Sequence, residues 1–89
     1  VRRIKIAQEP LILAVDHNRR NLELLSQFID EAAYRIVAVA SLGDLEPVLA
    51  NPEEIKLALV DVSGFDPSIW ERCDRLRKRG IPFLVLSSR

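Results

Sequence analysis

Four short apolar runs, set apart by segments with helical periodicity, constrain this chain more than any other feature. They are "LILAV" (11–15), "RIVAVA" (35–40), "IKLALVD" (55–61) and "IPFLVLS" (81–87). Each is nearly continuous in hydrophobicity rather than alternating, and is rich in Val, Ile and Leu. Such runs suit strands covered on both faces, as in parallel sheets. The segments between them are long enough for helical crossovers. The resulting β-α-β-α-β-α-β order predicts an α/β fold, a parallel sheet with helices on both faces. With 89 residues the chain has room for one small domain or a piece of one, and its core is correspondingly limited.

The crossover segments carry their own start and stop signals. In "NRRNLELLSQFIDEAAY", Leu22, Leu25, Ile29 and Ala32 fall near helical spacing, and Leu24 and Phe28 widen the stripe. Asn18 is placed to cap it. "SLGDLEPVLAN" reads as a short helix with two alternative starts. Ser41 with Asp44 resembles a capping box, which leaves Pro47 in the helix interior. With Asp44 as the cap, Pro47 falls in the tolerated first turn. A third helix is expected near 67–79, with Ile69, Cys73 and Leu76 on one face and Gly80 as its stop. Pro82 stands early in the fourth run, where a ladder donor is most easily lost. Residues 1–10, "VRRIKIAQEP", read as a tail or an extra strand ahead of the domain at 11–89.

Thirteen Lys and Arg balance thirteen Asp and Glu, so net charge supplies no general attraction to nucleic acid or to membranes. No apolar run approaches the ~20 residues that span a bilayer. The single cysteine, Cys73, has no internal partner for a disulfide and reads as a core residue, consistent with a reducing, cytoplasmic setting. No stretch reads as a signal peptide, and the chain does not begin with Met, which predicts a processed or trimmed chain. "RLRKR" (75–79) puts positive charge at a helix C-terminus, where the helix dipole favours it. It is short and lacks interleaved aromatics, which argues against nucleic-acid binding. Arg19 and Arg20 read as a solvated face.

Two of the apolar runs end on carboxylates, Asp16 and Asp61. Parallel strands joined by right-handed crossovers point the same way, so both residues belong to the carboxyl edge of the sheet. If the two strands are neighbours, the acids stand ~4.8 Å apart. Carboxylates that close repel unless a cation intervenes. Oxygen ligands at that spacing suit Mg²⁺, which takes few protein carboxylates and keeps waters. The pattern therefore proposes a metal-assisted phosphate or phosphoryl site. The plainer alternative is that each Asp only caps the turn that follows its strand.

The segments "LILAVDHNRRNLELLSQFIDEAAYRIVAVAS", "LALVDVSGFD" and "IPFLVLSS" together resemble, in order and spacing, a response-regulator receiver domain. The resemblance covers residue 11 to the end of the chain. It implies the flavodoxin-like (CheY-like) doubly wound sheet, with four strands present in the order 2-1-3-4 and the fifth strand and last helices missing. It also implies a signal-transduction role in a two-component phosphorelay. Asp61 would accept a phosphoryl group from a histidine kinase or phosphotransfer protein and relay the signal to an output domain in the same or another chain. On this resemblance Asp16, Asp61 and the backbone carbonyl of Ser63 would hold Mg²⁺, and Ser87 would supply the switch hydroxyl. The chain would not be an enzyme beyond Mg²⁺-dependent self-phosphorylation.

Three departures from the family pattern stand beside these matches. His17 occupies the position of the second acid, and imidazole is a poor ligand for a hard cation. Phe65 replaces a proline after the phosphorylated strand. The family's lysine falls beyond Arg89, and nothing obvious replaces it: Lys56 lies roughly 16 Å before Asp61 along the strand, and Lys78 ends a helix. Lys5 would serve only if the N-terminal segment paired beside strand four. These departures predict the alternative of a phosphorylation-independent pseudo-receiver, a protein–protein interaction module. An open edge at strand four predicts either a longer natural chain, which is the expectation favoured, or a homodimer through that edge. A small α/β enzyme or nucleotide-binding fragment is the weakest reading, since no G-x-G-x-x-G, P-loop or nucleophile elbow occurs.

Overall fold

The structure, a computed structural model, describes residues 10–52 and 54–87. The readings made for residues 1–9, including the extra strand and Lys5, lie outside the described residues. The elements run β1 (Leu11–Val15), α1 (Arg19–Glu31), β2 (Arg35–Val39), α2 (Leu42–Ala50), β3 (Ile55–Asp61), α3 (Ile69–Lys78) and β4 (Phe83–Leu86). All strand pairs are parallel and the order is β2-β1-β3-β4, the doubly wound arrangement expected.

Period-two alternation sends the strand residues to two layers. Leu13, Val15, Ala58 and Val60 face α2 and α3, where they bury Leu45, Leu49, Ile69, Cys73 and Leu76 in the main core. Ile12 and Ala14 are buried outside that cluster, and so are Leu22 and Ile29 of α1, the helix that covers the other face. Asp16, two residues beyond Ala14, continues the α1-side row. The main core is braced at its rim, where Glu46 of α2 accepts from Arg72 Nε at 2.9 Å and from Arg75 at 3.0 Å, both on α3.

Local signals explain the element ends. Asn18 caps α1, its Oδ1 accepting from the N–H groups of Arg20 at 2.9 Å and Asn21 at 3.3 Å. Of the two starts left open for α2, the structure takes Ser41, whose Oγ accepts from the Asp44 N–H at 3.1 Å. Pro47 is therefore interior, and the bond it cannot donate would have reached Gly43, which is exposed to solvent. Helix α3 begins at Ile69 rather than 67, because Asp66 accepts from the Ser68 N–H at 2.8 Å and holds a turn there. Gly80 ends α3 with φ +74°, as its position predicted. β4 is shorter than the apolar run suggested: Ile81 and Pro82 belong to the connection.

The β1–β3 pairing contains one irregularity that matters for function. Leu11 lies opposite Ile55, but Ile12 lies opposite Leu57, so Lys56 is an extra residue in the ladder. From there Val15 pairs with Val60, which sets Asp16 level with Asp61. Without this bulge Asp16 would face Val60, and Asp61 would stand one residue higher with its side chain on the opposite face.

Candidate functional site

Asp16 and Asp61 meet at the carboxyl rim of the sheet, on adjacent strands and on the α1 face. Asp16 is only 3% exposed; among the described residues it is the buried charged group of the fold. Its Oδ1 accepts from the Asn18 N–H at 2.8 Å, and its own N–H donates to the Val39 carbonyl at 3.1 Å. Asp61 is half-buried, and its Oδ1 accepts from the Ser63 N–H at 2.9 Å. Each carboxylate thus caps its own turn and also faces the other. The plain reading and the site reading of these residues hold together, since the turn occupies one oxygen of each acid.

Burial is the main force on Asp16 and pushes its pKa above the ordinary value of 3.8. The hydrogen bond from Asn18 opposes this, and the neighbouring Asp61 charge adds to it. The side-chain amide of Asn21, in the first turn of α1, hydrogen-bonds Asp16 and favours its charged form. Sequence reasoning missed Asn21. The available signal was a polar residue one turn into the helix that directly follows the acid. A pocket of about 310 Å³ opens over the pair, lined by Asp16, Asn21, Leu24, Leu25, Asp61 and Leu86. A larger pocket, about 540 Å³, lies away from the carboxylates between α1 and the start of α2, lined in part by Arg19, Glu23 and Asp44.

The other residues singled out in the sequence take definite places. Ser63 lies in the β3–α3 loop, its N–H engaged by Asp61. Leu86 pairs with Asp61 across the β3–β4 ladder, so Ser87, the next residue, reaches the same rim. Lys56 and Lys78, the lysines among the described residues, both lie toward the opposite rim. Lys56 lines a pocket there with Arg79 and Pro82, and Lys78 ends α3, where it pairs with Asp74. His17 is exposed, as expected of a loop residue, but its ring is not loose. It packs edge-on against Phe65, with centroids 5.6 Å apart and planes at 67°. Cys73 is buried in the core, which raises its thiol pKa.

Mg²⁺ is the ion that the sequence resemblance implied. Two carboxylates on one rim, with uncompensated repulsion between them, suit a hard cation that takes few protein oxygens and retains waters. His17 does not extend this set, and no cluster of three or more His, Cys, Asp or Glu able to hold a metal occurs among the described residues. The oxygen donors that the structure brings together at this rim are Asp16 and Asp61; of Ser63 it places the N–H, on Asp61. No helix among the described residues is long and apolar enough to cross a membrane.

No protein-family model and no curated protein matches the sequence. Solved structures do match the fold. A CheY-like response regulator receiver domain protein from Methanospirillum hungatei JF-1 superposes with a TM-score of 0.75 at 19% identity, covering 91% of this chain and 66% of that one. A response regulator receiver protein from Pseudomonas putida gives 0.73 at 22% identity, with 92% and 70% covered. A putative pilus assembly-related protein from Burkholderia pseudomallei K96243 gives 0.72 at 13% identity, with 99% and 69% covered. The chain thus spans about two thirds of the length of these neighbours, and its fold is that of the two receiver proteins among them.

Proposed function

We propose that this domain is a receiver in a two-component relay, taking a phosphoryl group onto Asp61. The observation that carries the reading is the pairing of Asp16 with Asp61 at one rim, under a pocket open to solvent. In the proposed transfer, a carboxylate oxygen of Asp61 attacks phosphorus. A P–O bond forms while the P–N bond of a phosphohistidine donor breaks, and the bonding pair leaves with the imidazole. Mg²⁺, when bound, offsets negative charge on the transferring oxygens. Asp16 and the Ser63 carbonyl would hold it. Asn21 partly offsets the burial that raises the Asp16 pKa. Ser87, next to the register partner of Asp61, would hydrogen-bond the acyl phosphate and bias the surfaces beyond.

The partners this reading calls for are a histidine kinase or phosphotransfer protein and an output domain, in a cytoplasmic setting. The exposed edge of β4 offers a strand-pairing surface for an output domain or a second copy. In the test, the protein is treated with a small phosphodonor and Mg²⁺ and its mass is measured. A single added phosphate that disappears in Asp61→Asn supports the reading; no added mass refutes it.

A second reading, the phosphorylation-independent interaction module, is favoured by His17. Its imidazole stands where the family has an acid, and it is packed on Phe65. This reading expects partner binding that survives Asp61→Asn.

A further inference from the structure

Two departures from the receiver pattern, His17 and Phe65, lie 48 positions apart in sequence and touch each other in space. Their rings meet edge-to-face at 5.6 Å. Gly64 makes the contact possible. Its φ is +81°, and a Cβ at this position would lie 3.2 Å from His17 Cδ2. Phe65 is itself packed against the main core. The contact therefore runs from the core, through Phe65, to the loop that follows Asp16.

These are the two loops that follow the acidic pair. Asp16 and Asp61 close adjacent strands, and each accepts a hydrogen bond from the loop just beyond it. Repulsion between the two charges acts to separate those loops. A cation between the acids would draw them together; a ring contact between the loops does the same by packing.

We propose that His17 and Phe65 form a clasp that keeps the two acidic loops together without a divalent cation. Both act as positioning residues, through the loops rather than on a ligand. The inference does not rest on phosphoryl transfer, because it concerns loop order before any phosphoryl group arrives.

Backbone amide exchange by NMR tests it directly. The Asn18 and Ser63 N–H groups bond to the two carboxylates, so their exchange reports loop opening. In the wild-type protein their protection should be equal, within about twofold, in EDTA and in Mg²⁺. In Phe65→Ala both amides should exchange about three- to tenfold faster in EDTA, the range an aromatic pair supports. Mg²⁺ should restore much of that protection. Phe65→Tyr should behave as wild type, and His17→Ala combined with Phe65→Ala should be no worse than Phe65→Ala alone. Amides of β1 and β3 register any global loss of stability. If Phe65→Ala unfolds, His17→Ala, which alters an exposed side chain, carries the same test. Wild-type protection that collapses in EDTA would overturn the proposal. So would alanine variants that exchange like wild type.

Discussion

Asp16→Asn should make this protein more stable at neutral pH, although it alters a buried residue. The substitution removes one of two like charges and keeps the oxygen that accepts from the Asn18 N–H at 2.8 Å. At a strand spacing of ~4.8 Å, the repulsion between two full charges is about 0.9 kcal/mol in a water-like medium and about 3.5 kcal/mol at an effective dielectric constant of 20. Against this gain, a charged hydrogen bond becomes a neutral one, a loss of about 1 kcal/mol. These two effects leave about 0 to 2.5 kcal/mol at pH 7, and relief of the burial cost of the Asp16 charge adds to it, so the expected net gain is about 1–2 kcal/mol. The direction in pH follows from linkage. Asp16 has a folded-state pKa above its ordinary value of 3.8, so its contribution to stability is fully present below 3.8 and lost as pH rises through the raised value. The advantage of the variant therefore opens across that window and closes in acid. Glu46, Asp66 and Asp74 have lowered pKa values and titrate in the opposite sense, but they are common to both proteins and cancel in the difference. Urea unfolding at pH 3.5, 5 and 7 measures it. The midpoint of Asp16→Asn should exceed that of wild type by about 1 M at pH 7. Equal midpoints at pH 7, or a gap that persists unchanged at pH 3.5, would refute the reasoning.

Leu13→Ala, at a fully buried position between the sheet and α2/α3, should cost about 2–5 kcal/mol in denaturant unfolding. Gly64→Ala forces an L side chain into φ +81° and against His17, and should cost about 1–3 kcal/mol in the same assay. Asn18→Ala removes the side-chain cap of α1 and should lower stability by about 1 kcal/mol, with helical circular dichroism falling earlier in the transition.

Much of the fold is written in local pattern. The runs at 11–15 and 55–61 match β1 and β3 to the residue, because strands covered on both faces are mostly apolar and stand out from their flanks, with Lys56 at the ladder irregularity as the exception. Asn18 and Gly80 punctuate α1 and α3 as their chemistry requires. The start of α2 was not legible, because Ser41 and Asp44 are both competent caps; in the structure Ser41 takes the Asp44 N–H and Leu45 and Leu49 are buried. The clasp between His17 and Phe65 was not legible either. Each residue alone reads as a departure from a pattern, and a contact between distant loops leaves no periodic trace.

Local pattern alone sets which residues end the strands, and hence that two carboxylates come to one rim. It does so because burial on both faces and parallel crossovers leave few other arrangements for these runs. Whether the acids would share a face was decided only in three dimensions, by the extra residue Lys56 in the β1–β3 ladder. A shift of one residue reverses every side chain of a strand, and such a shift arises from the pairing of two strands, not from either strand alone.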